Sequence, residues 1–550
     1  MSEPAAATTR LFGSAARVDA DSIASVIRLL STDESGAPGS RYAERPETRL
    51  RYAPAIRDLF ARYLAAPDSA FLIPFESSRT DTAQTNVMAI IHADGPSNGL
   101  VLLTAHYDAT GKLTPEWDAF YDPAPGADDN ASGVACLVEA ARLLPALDLP
   151  FDVGLVAFGS EEAFGPPTKA PLEGSRVFAR GIEDSGELLL GVLNCDMIAY
   201  NTVHEKVDVV TNASSLWLAD RFAAIAAELA PDLEVKRILA PSSGNSDHAS
   251  FWALGEDAVL LIENQFPDQS DSLPDGTVKY LKNPFYHTKD DTLENLNLEL
   301  ARAITGVVVG TIAGLAQAPD GAPDLVVDST HIIVPRARVF VGDAVDVEVR
   351  VFNRGGVIGA GLGSARVELW RGDPGGGSRM IGDASIDLPI APWFYKRVFI
   401  RWSVGDADEG AAPLFARVTA GGISEATLSN NDARLSMNVL KNEIRRLRTI
   451  NSPARVDDAA NELRLDFEVS LRPGVPQDVE ADIYDASGRR IAEHPREPAK
   501  DGRNSLFLRN FRFGEGRSPN SGVYFAEVRL FDRATSGLVS SATGKFVLIR

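Results

Sequence analysis

Residues 99–108 read Gly99-Leu-Val-Leu-Leu-Thr-Ala-His106-Tyr-Asp108, a short apolar run that ends at a histidine and an aspartate. Two later apolar runs end at acidic residues in the same way, Val153–Phe158 before Glu161 and Glu162, and Leu188–Asn194 before Asp196. Continuous apolar runs of this length are typical of buried strands in a parallel sheet. Because functional side chains in such sheets gather at the carboxyl ends of the strands, we expect these residues to lie close together.

Helical and strand patterns alternate on either side of these runs. Apolar residues at helical spacing predict helices, and apolar runs bounded by turns predict strands. The predicted helices are Ser22–Leu30, Pro54–Ala65, one around Val134–Ala141, Leu216–Leu229 and Asn297–Ala316, and the other predicted strands are Asn86–His92, Leu100–Ala105, Val207–Val210 and Ala258–Ile262. This order predicts an α/β domain over residues 1–320, with a mainly parallel sheet covered by helices on both faces.

The pattern changes after a linker rich in proline, glycine and alanine, Gln317–Asp324. Beyond it, short apolar strands alternate with turns and helical periodicity is absent, as in antiparallel sandwiches. The predicted strands are 345–351, 365–370, 384–388, 396–402 and 414–419, then 463–469, 479–484, 505–508, 523–529 and 545–549. We therefore predict two C-terminal all-β sandwich domains, over residues 324–440 and 441–550.

Composition restricts the partners and the compartment. The formal net charge is −22, which argues against a nucleic-acid partner because phosphate binding needs a basic face. The most apolar stretch, around Ala303–Ala318, is shorter than the roughly 18 residues that span a bilayer, so we expect a buried helix and no membrane span. The N-terminal residues lack the apolar run of a signal peptide, which by itself indicates a cytoplasmic protein. Cys136 and Cys195 are expected to be small buried side chains, and a single bridge between them stays open.

The histidines and carboxylates near the predicted strand ends are the residue types of a metal-dependent hydrolase. Zinc in hydrolases takes nitrogen and oxygen ligands and keeps one position for water. Two zinc ions lie about 3.5–4 Å apart when one carboxylate bridges them. Singly, each residue has a simpler explanation; Asp128-Asp129-Asn130, for example, would make a helix N-cap. The joint occurrence favours a metal site built from His106, Asp128 or Asp129, Glu161, Glu162, Asp196 and a later His287.

Six motifs along the chain occur together in one known family. They are His106-x-Asp108, Pro125-Gly-Ala-x-Asp129-Asn-x-Ser-Gly133, Glu161-Glu162, the strand-ending Asp196, Ser246-Asp247-His248 and His287-Thr-x-x-Asp291-Thr. As an ordered set over roughly residues 85–315, they resemble the two-zinc exopeptidases that include bacterial leucyl aminopeptidases and aminopeptidase S. The fold of that family agrees with the α/β fold predicted above.

The resemblance implies a ligand set for two zinc ions. One ion would be held by His106 and Asp196, and the other by Glu162 and His287. Asp129 would bridge the two ions, because the frame of the motif selects Asp129 over Asp128. The implied cofactors are therefore two zinc ions.

The resemblance also implies roles for the residues around the metals. Glu161 would be the general base, which takes a proton from the attacking water and then gives it to the leaving amine. Asp108, counted with the catalytic residues, and Asp291 would orient His106 and His287. The substrate pocket would be shaped by Ser246, Asp247 and His248.

Two features of the sequence bear on these assignments. Ser246-Asp247-His248 contains the residue types of a serine hydrolase, but adjacent residues cannot form a triad and the chain has no Gly-x-Ser-x-Gly elbow.

A proline-rich insertion over residues 163–173 is longer than the usual connection after the Glu-Glu pair. It would lie at the rim of the site, which leaves the side-chain preference open.

The two β domains resemble accessory modules of bacterial proteins. Residues 324–440, with Asn353-Arg-Gly-Gly and Ser429-Asn-Asn431, resemble adhesion-like sandwiches that follow bacterial exoenzymes. Residues 441–550 resemble C-terminal immunoglobulin-like modules, on Ile483-Tyr-Asp-Ala-Ser-Gly488 and Ser521-Gly-Val-Tyr-Phe525. The presence of such modules suggests an exported protein, although the sequence shows no signal peptide. It also suggests that the β domains bind a surface, a carbohydrate or a protein.

Several functions fit these residues. The resemblance implies an aminopeptidase that hydrolyses the N-terminal peptide bond of peptides. A carboxypeptidase or another amide hydrolase would use the same two metals. A glutaminyl cyclase of the same broader fold needs one zinc and has no use for the complete ligand set. A binding protein whose function lies in the β domains is the remaining alternative.

Overall fold

The computed structural model describes residue 13 and residues 17–65, 70–77, 83–162, 171–201, 205–263, 282–319, 321–335, 338–375, 377–441, 443–449, 454–455, 462–471, 474–509 and 521–549. These residues form an α/β unit followed by two β units. The α/β unit contains one eight-stranded sheet, and each β unit contains two sheets.

The eight-stranded sheet is mixed, with parallel strands at its centre. Its strands are β1 (Ala70–Phe75), β2 (Gln84–Ile91), β3 (Leu100–His106), β4 (Asp152–Phe158), β5 (Leu189–Cys195), β6 (Lys206–Thr211), β7 (Glu234–Leu239) and β8 (Ala258–Ile262). Their order across the sheet is β1-β2-β4-β3-β5-β8-β6-β7. The central strands β4, β3, β5 and β8 run parallel, so their carboxyl ends share one edge.

Helices cover both faces of this sheet, as the sequence predicts. They are α1 (Ala20–Ser31), α2 (Ala53–Ala61), α3 (Gly133–Leu143), α4 (Glu173–Ser185), α5 (Leu216–Leu229), α6 (His248–Trp252) and α7 (Leu298–Leu315). Successive residues of β3 point to opposite faces. Val101 and Leu103 join a core that includes α3 and α7, whereas Leu102 packs with Phe178 of α4 and Phe251 of α6.

Helix α7 corresponds to the most apolar stretch of the sequence. It has 18 residues and is long and apolar enough to cross a membrane, but 78% of it is buried inside the protein. Its N-cap is Asn297, whose side chain accepts hydrogen bonds from the backbone N–H groups of Glu299 and Leu300. The buried helix expected from the sequence is therefore present, and it begins earlier than the apolar stretch because of this cap.

Four elements of the α/β unit were not predicted, and one of them is the five-residue helix α6. Strand β7 lies at the edge of the sheet, and its solvent-facing residues carry charge, which hides the apolar pattern. Strand β1 lies at the opposite edge and contains Pro74. Helix α4 contains Gly174 and Gly181, which have low helix propensity.

The first β unit is a sandwich of two sheets. Its strands are β9 (Leu325–Val326), β10 (Ile332–Ile333), β11 (Val339–Phe340), β12 (Ala344–Asn353), β13 (Ser364–Arg371), β14 (Arg379–Asp387), β15 (Tyr395–Ser403), β16 (Gly410–Ala420) and β17 (Asp432–Leu440). One sheet contains β9, β10, β12 and β15, and the other has the order β11-β17-β16-β13-β14. Alternate residues of β12, from Val345 to Val351, are buried between the sheets.

The second β unit repeats this two-sheet arrangement. Its strands are β18 (Glu443–Thr449), β19 (Ala454–Arg455), β20 (Glu462–Ser470), β21 (Gln477–Asp485), β22 (Arg490–Pro498), β23 (Gly502–Arg509), β24 (Gly522–Asp532) and β25 (Leu538–Ile549). The sheets have the orders β18-β20-β23 and β19-β25-β24-β21-β22. Side chains from both sheets form a separate hydrophobic core around Phe467 and Val528.

The first β unit is fixed to the α/β unit at the amino ends of β5 and β8, the edge opposite to the carboxyl ends. The Arg350 guanidinium donates to the Gly255 carbonyl at 2.9 Å and pairs with the Glu256 carboxylate at 3.0 Å. The Tyr395 hydroxyl donates to the Leu189 carbonyl at 3.0 Å. One continuous hydrophobic core includes residues of both units. The predicted domain limits remain predictions, but this contact makes the two units one packed body.

Candidate metal centre

Residues that follow three parallel strands meet at the carboxyl edge of the sheet. His106 ends β3, Glu161 and Glu162 follow β4, and Asp196 follows β5. All four are buried, although charged side chains are rarely buried without partners. Two loops complete the group, because Asp129 lies just before α3 and His287 lies in the segment before α7.

Asp129 lies between two histidines and offers one carboxylate oxygen to each. Its Oδ1 is 3.2 Å from Nε2 of His106, and its Oδ2 is 3.0 Å from Nε2 of His287. The same His106 nitrogen is 3.2 Å from Oδ1 of Asp196, and the same His287 nitrogen is 2.7 Å from Oε1 of Glu162. Two groups of three ligands therefore share Asp129, and within each group the ligand atoms lie within 4.8 Å of one another.

These two groups fit zinc in donor type and in spacing. Nitrogen and carboxylate oxygen are the donors that zinc takes in hydrolases. Bonds of about 2.0–2.1 Å in a tetrahedral site place neighbouring ligand atoms about 3.3 Å apart. The measured separations of 3.2 Å around His106 are close to that value. Each group supplies three protein ligands, which leaves a fourth tetrahedral position for water or substrate.

The carboxylates also draw positive charge onto the histidines. Burial lowers the pKa of His287, but Glu162 and Asp129 outweigh burial and raise that pKa to about 9. Burial likewise lowers the pKa of His106, whereas Asp196 and Glu161 raise it well above its usual value. A donor set with this negative potential is suited to divalent cations.

Asp108 and Asp291 each hold a pair of backbone N–H groups. The Asp108 carboxylate accepts from the N–H groups of Glu161 and Glu162 at 3.0 and 3.1 Å. The Asp291 carboxylate accepts from those of Asp128 and Asp129 at 2.9 and 3.0 Å. The two carboxylates therefore fix the acidic dipeptides that carry the candidate ligands Glu162 and Asp129.

This geometry differs from the expectation that Asp108 and Asp291 orient the histidines. Oδ1 of Asp108 is 3.9 Å from Nδ1 of His106, too far for a hydrogen bond. The backbone carbonyl of Asp108 lies 3.1 Å from that nitrogen instead. Asp291 follows His287 by four residues, but its carboxylate points to the loop before α3. His106 is therefore contacted by the backbone carbonyl of Asp108 and not by its carboxylate, and the carboxylate of Asp291 holds the loop before α3.

Asp128 points away from the two histidines. Its carboxylate accepts from the Ala199 N–H at 2.9 Å and from the Asn283 amide at 2.7 Å. It also hydrogen-bonds the buried carboxyl group of Glu263. Burial raises the pKa of Asp128 to about 6, and burial raises the pKa of Glu263 well above its usual value, so the two carboxyl groups share a proton. The geometry thus favours Asp129 as the bridging residue, as the motif does.

Glu161 lines an open cleft of about 580 Å³ beside the two ligand groups. Burial raises the pKa of Glu161 well above its usual value; Glu162 and Asp247 add to this effect, and His106 opposes it. A carboxylate with a raised pKa is a stronger base than an ordinary glutamate. The other residues that line the cleft are His106, Lys112, Asp129, Glu162, Pro171, Leu172, Asp196, Met197, Gly244, Asn245, Ile262, Tyr286 and His287.

Ser246, Asp247 and His248 lie behind the cleft wall instead of on it. All three are fully buried, and the residues that face the cleft are their neighbours Gly244 and Asn245. The Ser246 hydroxyl accepts from the Asn194 amide at 2.8 Å. The expected pocket residues therefore lie behind the described lining of the cleft, and their role in shaping the pocket stays a prediction.

Arg41 was not among the predicted site residues, and it is completely buried below the site. Its guanidinium donates to the carbonyls of Tyr107 at 2.6 Å, Gly126 at 2.7 Å and Leu30 at 2.6 Å, and also to that of Pro125. Tyr107 lies between His106 and Asp108, and Gly126 precedes the Asp128-Asp129 pair. Arg41 therefore joins the segments that carry two candidate ligands, His106 and Asp129, and no local pattern in the sequence indicates it.

Two residues of the cleft were also missed. The Lys112 ammonium lies 3.3 Å from Oε2 of Glu162. The Tyr286 ring stacks on the His287 ring, with a centroid separation of 3.6 Å. Burial raises the pKa of Tyr286, and the carboxylates of Asp129 and Glu162 raise it further, so its hydroxyl stays a hydrogen-bond donor. The position of Tyr286 next to the motif histidine was the available signal.

Two remaining expectations concern the insertion and the cysteines. Residues 163–170 of the proline-rich insertion lie outside the described residues, but Pro171 and Leu172 lie on the cleft. Cys136 and Cys195 are both buried and free, with sulfur atoms 3.9 Å apart. The expectation of small buried side chains is therefore confirmed.

Several known proteins are similar to the α/β unit of this chain. Residues 86–312 match the model of peptidase family M28. Among curated proteins, the uncharacterized protein YfbL of Escherichia coli K12 is 28% identical over 39% of this chain and 66% of its own length. The aminopeptidase YwaD of Bacillus subtilis is 25% identical over 39% of this chain and 40% of its own length. The chain thus spans only part of the length of these relatives.

A fungal protein and a solved structure give similar partial matches. Leucine aminopeptidase 1 of Fusarium vanettenii is 30% identical over 41% of this chain and 54% of its own length. The crystal structure of the Legionella pneumophila LapA aminopeptidase is 19% identical, covers 56% of this chain and 74% of its own, and has a TM-score of 0.44. Through residues 86–312 the α/β unit is similar to peptidase family M28, and its two ligand groups have the donor types of a zinc metallopeptidase site.

Proposed function

We propose that this chain is a zinc-dependent exopeptidase that hydrolyses the N-terminal peptide bond of peptides. The position of Asp129 is the observation that carries the proposal, since each of its carboxylate oxygens faces a different histidine. A single metal site has no use for this arrangement. The family match and the named aminopeptidases among the relatives support the same reaction.

Two zinc ions agree with the charge of the site. His106, Asp129 and Asp196 would hold one ion, and Asp129, Glu162 and His287 the other. The cleft is lined by four carboxylates, those of Asp129, Glu161, Glu162 and Asp196, whose four negative charges balance two divalent cations. Zinc ions bound there would act as Lewis acids on the scissile carbonyl and would lower the pKa of a water molecule.

Glu161 is the proposed general base. It takes a proton from the attacking water and gives that proton to the nitrogen of the leaving peptide. Glu161 is 9% exposed and reaches the cleft, whereas its neighbour Glu162 is held at His287. The Tyr286 hydroxyl, kept protonated by its surroundings, is positioned along the same cleft to donate to an oxyanion.

The described lining of the cleft favours a free amine over a terminal carboxylate at the substrate end. Among the described residues that line it, Lys112 is the only lysine or arginine, and it lies 3.3 Å from Glu162. A carboxypeptidase must hold the terminal carboxylate of its substrate next to the scissile bond, which needs a cationic group in that position. Lys112 already pairs with Glu162, so the described lining supplies no other cationic group for that carboxylate.

The two β units are proposed as accessory modules. We infer that the first is an adhesion-like sandwich and the second an immunoglobulin-like sandwich. Their strand order in two facing sheets is consistent with such modules. A surface, carbohydrate or protein ligand is the proposed partner of these modules.

The decisive experiment measures metal content and substrate range together. We expect close to two zinc ions per chain, cleavage of aminoacyl-anilides and free-amine peptides, and no cleavage of N-blocked peptides. Removal of zinc by a chelator should abolish hydrolysis, and added zinc should restore it. Cleavage of N-blocked peptides that have a free carboxyl end would instead show a carboxypeptidase, and one zinc ion with cyclisation of N-terminal glutamine would show a cyclase.

A further inference from the structure

A second pocket adjoins the catalytic cleft and differs from it in charge. It has a volume of about 770 Å³ and shares Leu172 and Gly244 with the cleft. Its other lining residues are Arg176, Arg180, Ala249, Ser250, Ala253 and Leu254. The described lining therefore contains two arginines and no carboxylate, in a chain whose net charge is −22.

Both arginines lie on α4 and face the pocket. They are four residues apart, so their side chains leave the same face of the helix about 5–6 Å from each other. Arg176 is half-buried and Arg180 is exposed. Within the part of the chain that the structure describes, neither guanidinium has an ion pair or a hydrogen bond to an acidic residue.

The position of α4 connects these arginines to the catalytic cleft. Leu172 lies at the start of the helix and lines both cavities, and its carbonyl accepts from the Arg176 N–H at 3.1 Å. Arg176 is therefore one helical turn, about 5.4 Å, from the shared wall, and Arg180 is two turns away. An extended peptide advances about 3.3–3.6 Å per residue. A group two to four residues beyond the cleft would reach the arginines.

We propose that Arg176 and Arg180 form an anionic subsite, which receives a carboxylate of the peptide substrate downstream of the scissile bond. Two guanidinium groups with free donors match a carboxylate in charge and in hydrogen-bond geometry. The apolar residues Leu172, Ala253 and Leu254 receive the aliphatic part of the same residue. The proposal rests on the proposed peptidase function and adds a substrate class, namely peptides with an acidic residue or a terminal carboxylate near the N-terminus.

The charge distribution gives the substrate a direction. The arginine pocket attracts the acidic end of a peptide and so orients that end away from the scissile bond. A peptide bound in the opposite direction would leave both guanidinium groups without a carboxylate partner. The guanidinium groups of Arg176 and Arg180 are partly exposed to solvent, so the preference for acidic peptides should fall as salt concentration rises.

The test compares matched pentapeptides with a free amine and an amidated carboxyl end. One series carries glutamate at position three, four or five, and the reference peptide carries glutamine at the same position. A further peptide keeps glutamine but has a free C-terminal carboxylate, which separates a side-chain source from a terminal one. We expect kcat/KM of wild type to be about fivefold to tenfold higher for at least one carboxylate peptide than for its neutral partner.

The variants are Arg176→Gln, Arg180→Gln and the double substitution. We expect the double variant to lose the preference while its kcat/KM for the neutral peptide stays within about twofold of wild type. Arg302→Gln is the matched control, because Arg302 lines a different surface pocket that shares no residue with the cleft. The charge-reversed pair Arg176→Glu and Arg180→Glu should prefer a lysine-containing peptide.

The outcomes separate the subsite from the proposed function. Hydrolysis of every peptide at equal rates, or a preference that survives the double substitution, would overturn the subsite and leave the peptidase function intact. If no peptide is hydrolysed, the proposed function fails, and calorimetric titration of the same peptides into zinc-loaded protein tests the subsite alone. Binding of the glutamate peptide no tighter than the glutamine peptide would then overturn it.

Discussion

At the scale of single residues, Glu161 and Glu162 are adjacent in the chain but have different surroundings. Glu162 contacts His287 at 2.7 Å, whereas Glu161 faces the cleft and has a pKa that burial raises. The Asp108 carboxylate accepts from the backbone of both residues and holds them in these two orientations. Neighbouring glutamates therefore serve different purposes because the backbone sends their side chains in different directions.

We predict that Glu161→Gln keeps zinc but lowers kcat by about a thousandfold, since an amide cannot accept the proton of water. The amide has nearly the same size, so metal content measured by atomic emission should remain that of wild type. Glu187→Gln, at an exposed position just after α4, is the control and should have normal kcat. Turnover of Glu161→Gln near the wild-type rate would contradict the assignment of the base.

A second residue-scale prediction concerns Arg41. Arg41→Met should lower the stability of the zinc-free protein by about 3 kcal/mol or more, because buried carbonyls lose their donors. It should also weaken zinc binding by about tenfold or more, since the loops that hold His106 and Asp129 are no longer joined. Urea unfolding with a chelator measures the first effect, and competition with a zinc indicator measures the second.

Arg45→Met provides the comparison for Arg41. Arg45 also donates to two carbonyls, those of Ala119 and Asp122, but it is only half-buried and contacts neither metal-binding loop. We expect its zinc affinity to be unchanged. Equal zinc affinities for the Arg41 and Arg45 variants would show that Arg41 acts only on stability.

At the scale of elements, the metal site depends on contacts between strand ends and loops. Asn130 is an example: its amide donates to the Cys195 carbonyl at 2.9 Å, and its oxygen accepts from the Met197 N–H at 3.2 Å. It therefore ties the loop before α3 to the end of β5, where Asp196 lies. Asp291 ties the same loop to the segment before α7. Each ligand is thus positioned by an element other than its own.

A short helical turn in the first β unit, Ser329–His331, should make stability depend on pH. His331 is buried against Phe352, and its Nδ1 accepts from the Asp328 N–H at 3.1 Å, which requires the neutral ring. Burial lowers the pKa of His331 to about 4, with Asp328 opposing and Arg354 and Arg350 reinforcing that effect. The unfolded chain, with a histidine pKa of about 6.5, binds the proton more readily.

The stability contributed by neutral His331 is therefore present above about pH 6.5 and is lost as pH falls towards 4. We predict a loss of about 3 kcal/mol over that interval, measured by denaturant unfolding at several pH values. His331→Gln keeps an acceptor but does not titrate, so its stability should change less over the same interval. Parallel pH dependence of the two proteins would contradict this account, because other groups would then carry the effect.

At the scale of the whole molecule, the α/β unit and the first β unit share one core, whereas the second β unit has its own. Aromatic residues meet at the shared boundary, where Phe151 and Phe394 have ring centroids 5.5 Å apart. The Arg354 guanidinium lies 4.1 Å from the centroid of the Trp217 ring. The first β unit therefore stabilises the sheet at the edge opposite to the metal site.

We predict that removing residues 441–550 leaves the melting temperature of the α/β unit unchanged within a few degrees. Removing residues 321–550 should lower it by about 10 °C or more, because several large apolar side chains become exposed. Differential scanning calorimetry of the two shortened chains and the full chain measures both effects. If the chain without residues 321–550 has the same melting temperature as the full chain, the first β unit does not stabilise the α/β unit.

Much of the fold was accessible from local patterns. The helix Leu216–Leu229 and the strand Ala258–Ile262 were predicted with the bounds that the structure has, because their apolar spacing is strong and their ends carry turn residues. Edge strand β7 was missed because half of its side chains face solvent, where selection for apolar residues is weak. In the site, the strand-ending positions of His106 and Asp196 followed from the same patterns, whereas Arg41 and Tyr286 did not.

The sequence by itself determined the α/β class and the set of residue types at the carboxyl edge, because apolar run length and residue order are local properties. Only the tertiary structure decided the directions of side chains within that set. It placed Asp129 between the histidines, turned Asp128 towards Asn283, and aimed Asp108 at the backbone of Glu161. These choices depend on contacts between residues distant in the chain, such as Arg41 and Tyr107, which are 66 positions apart. Such contacts leave no periodic signal in the sequence, so they become visible only in the tertiary structure.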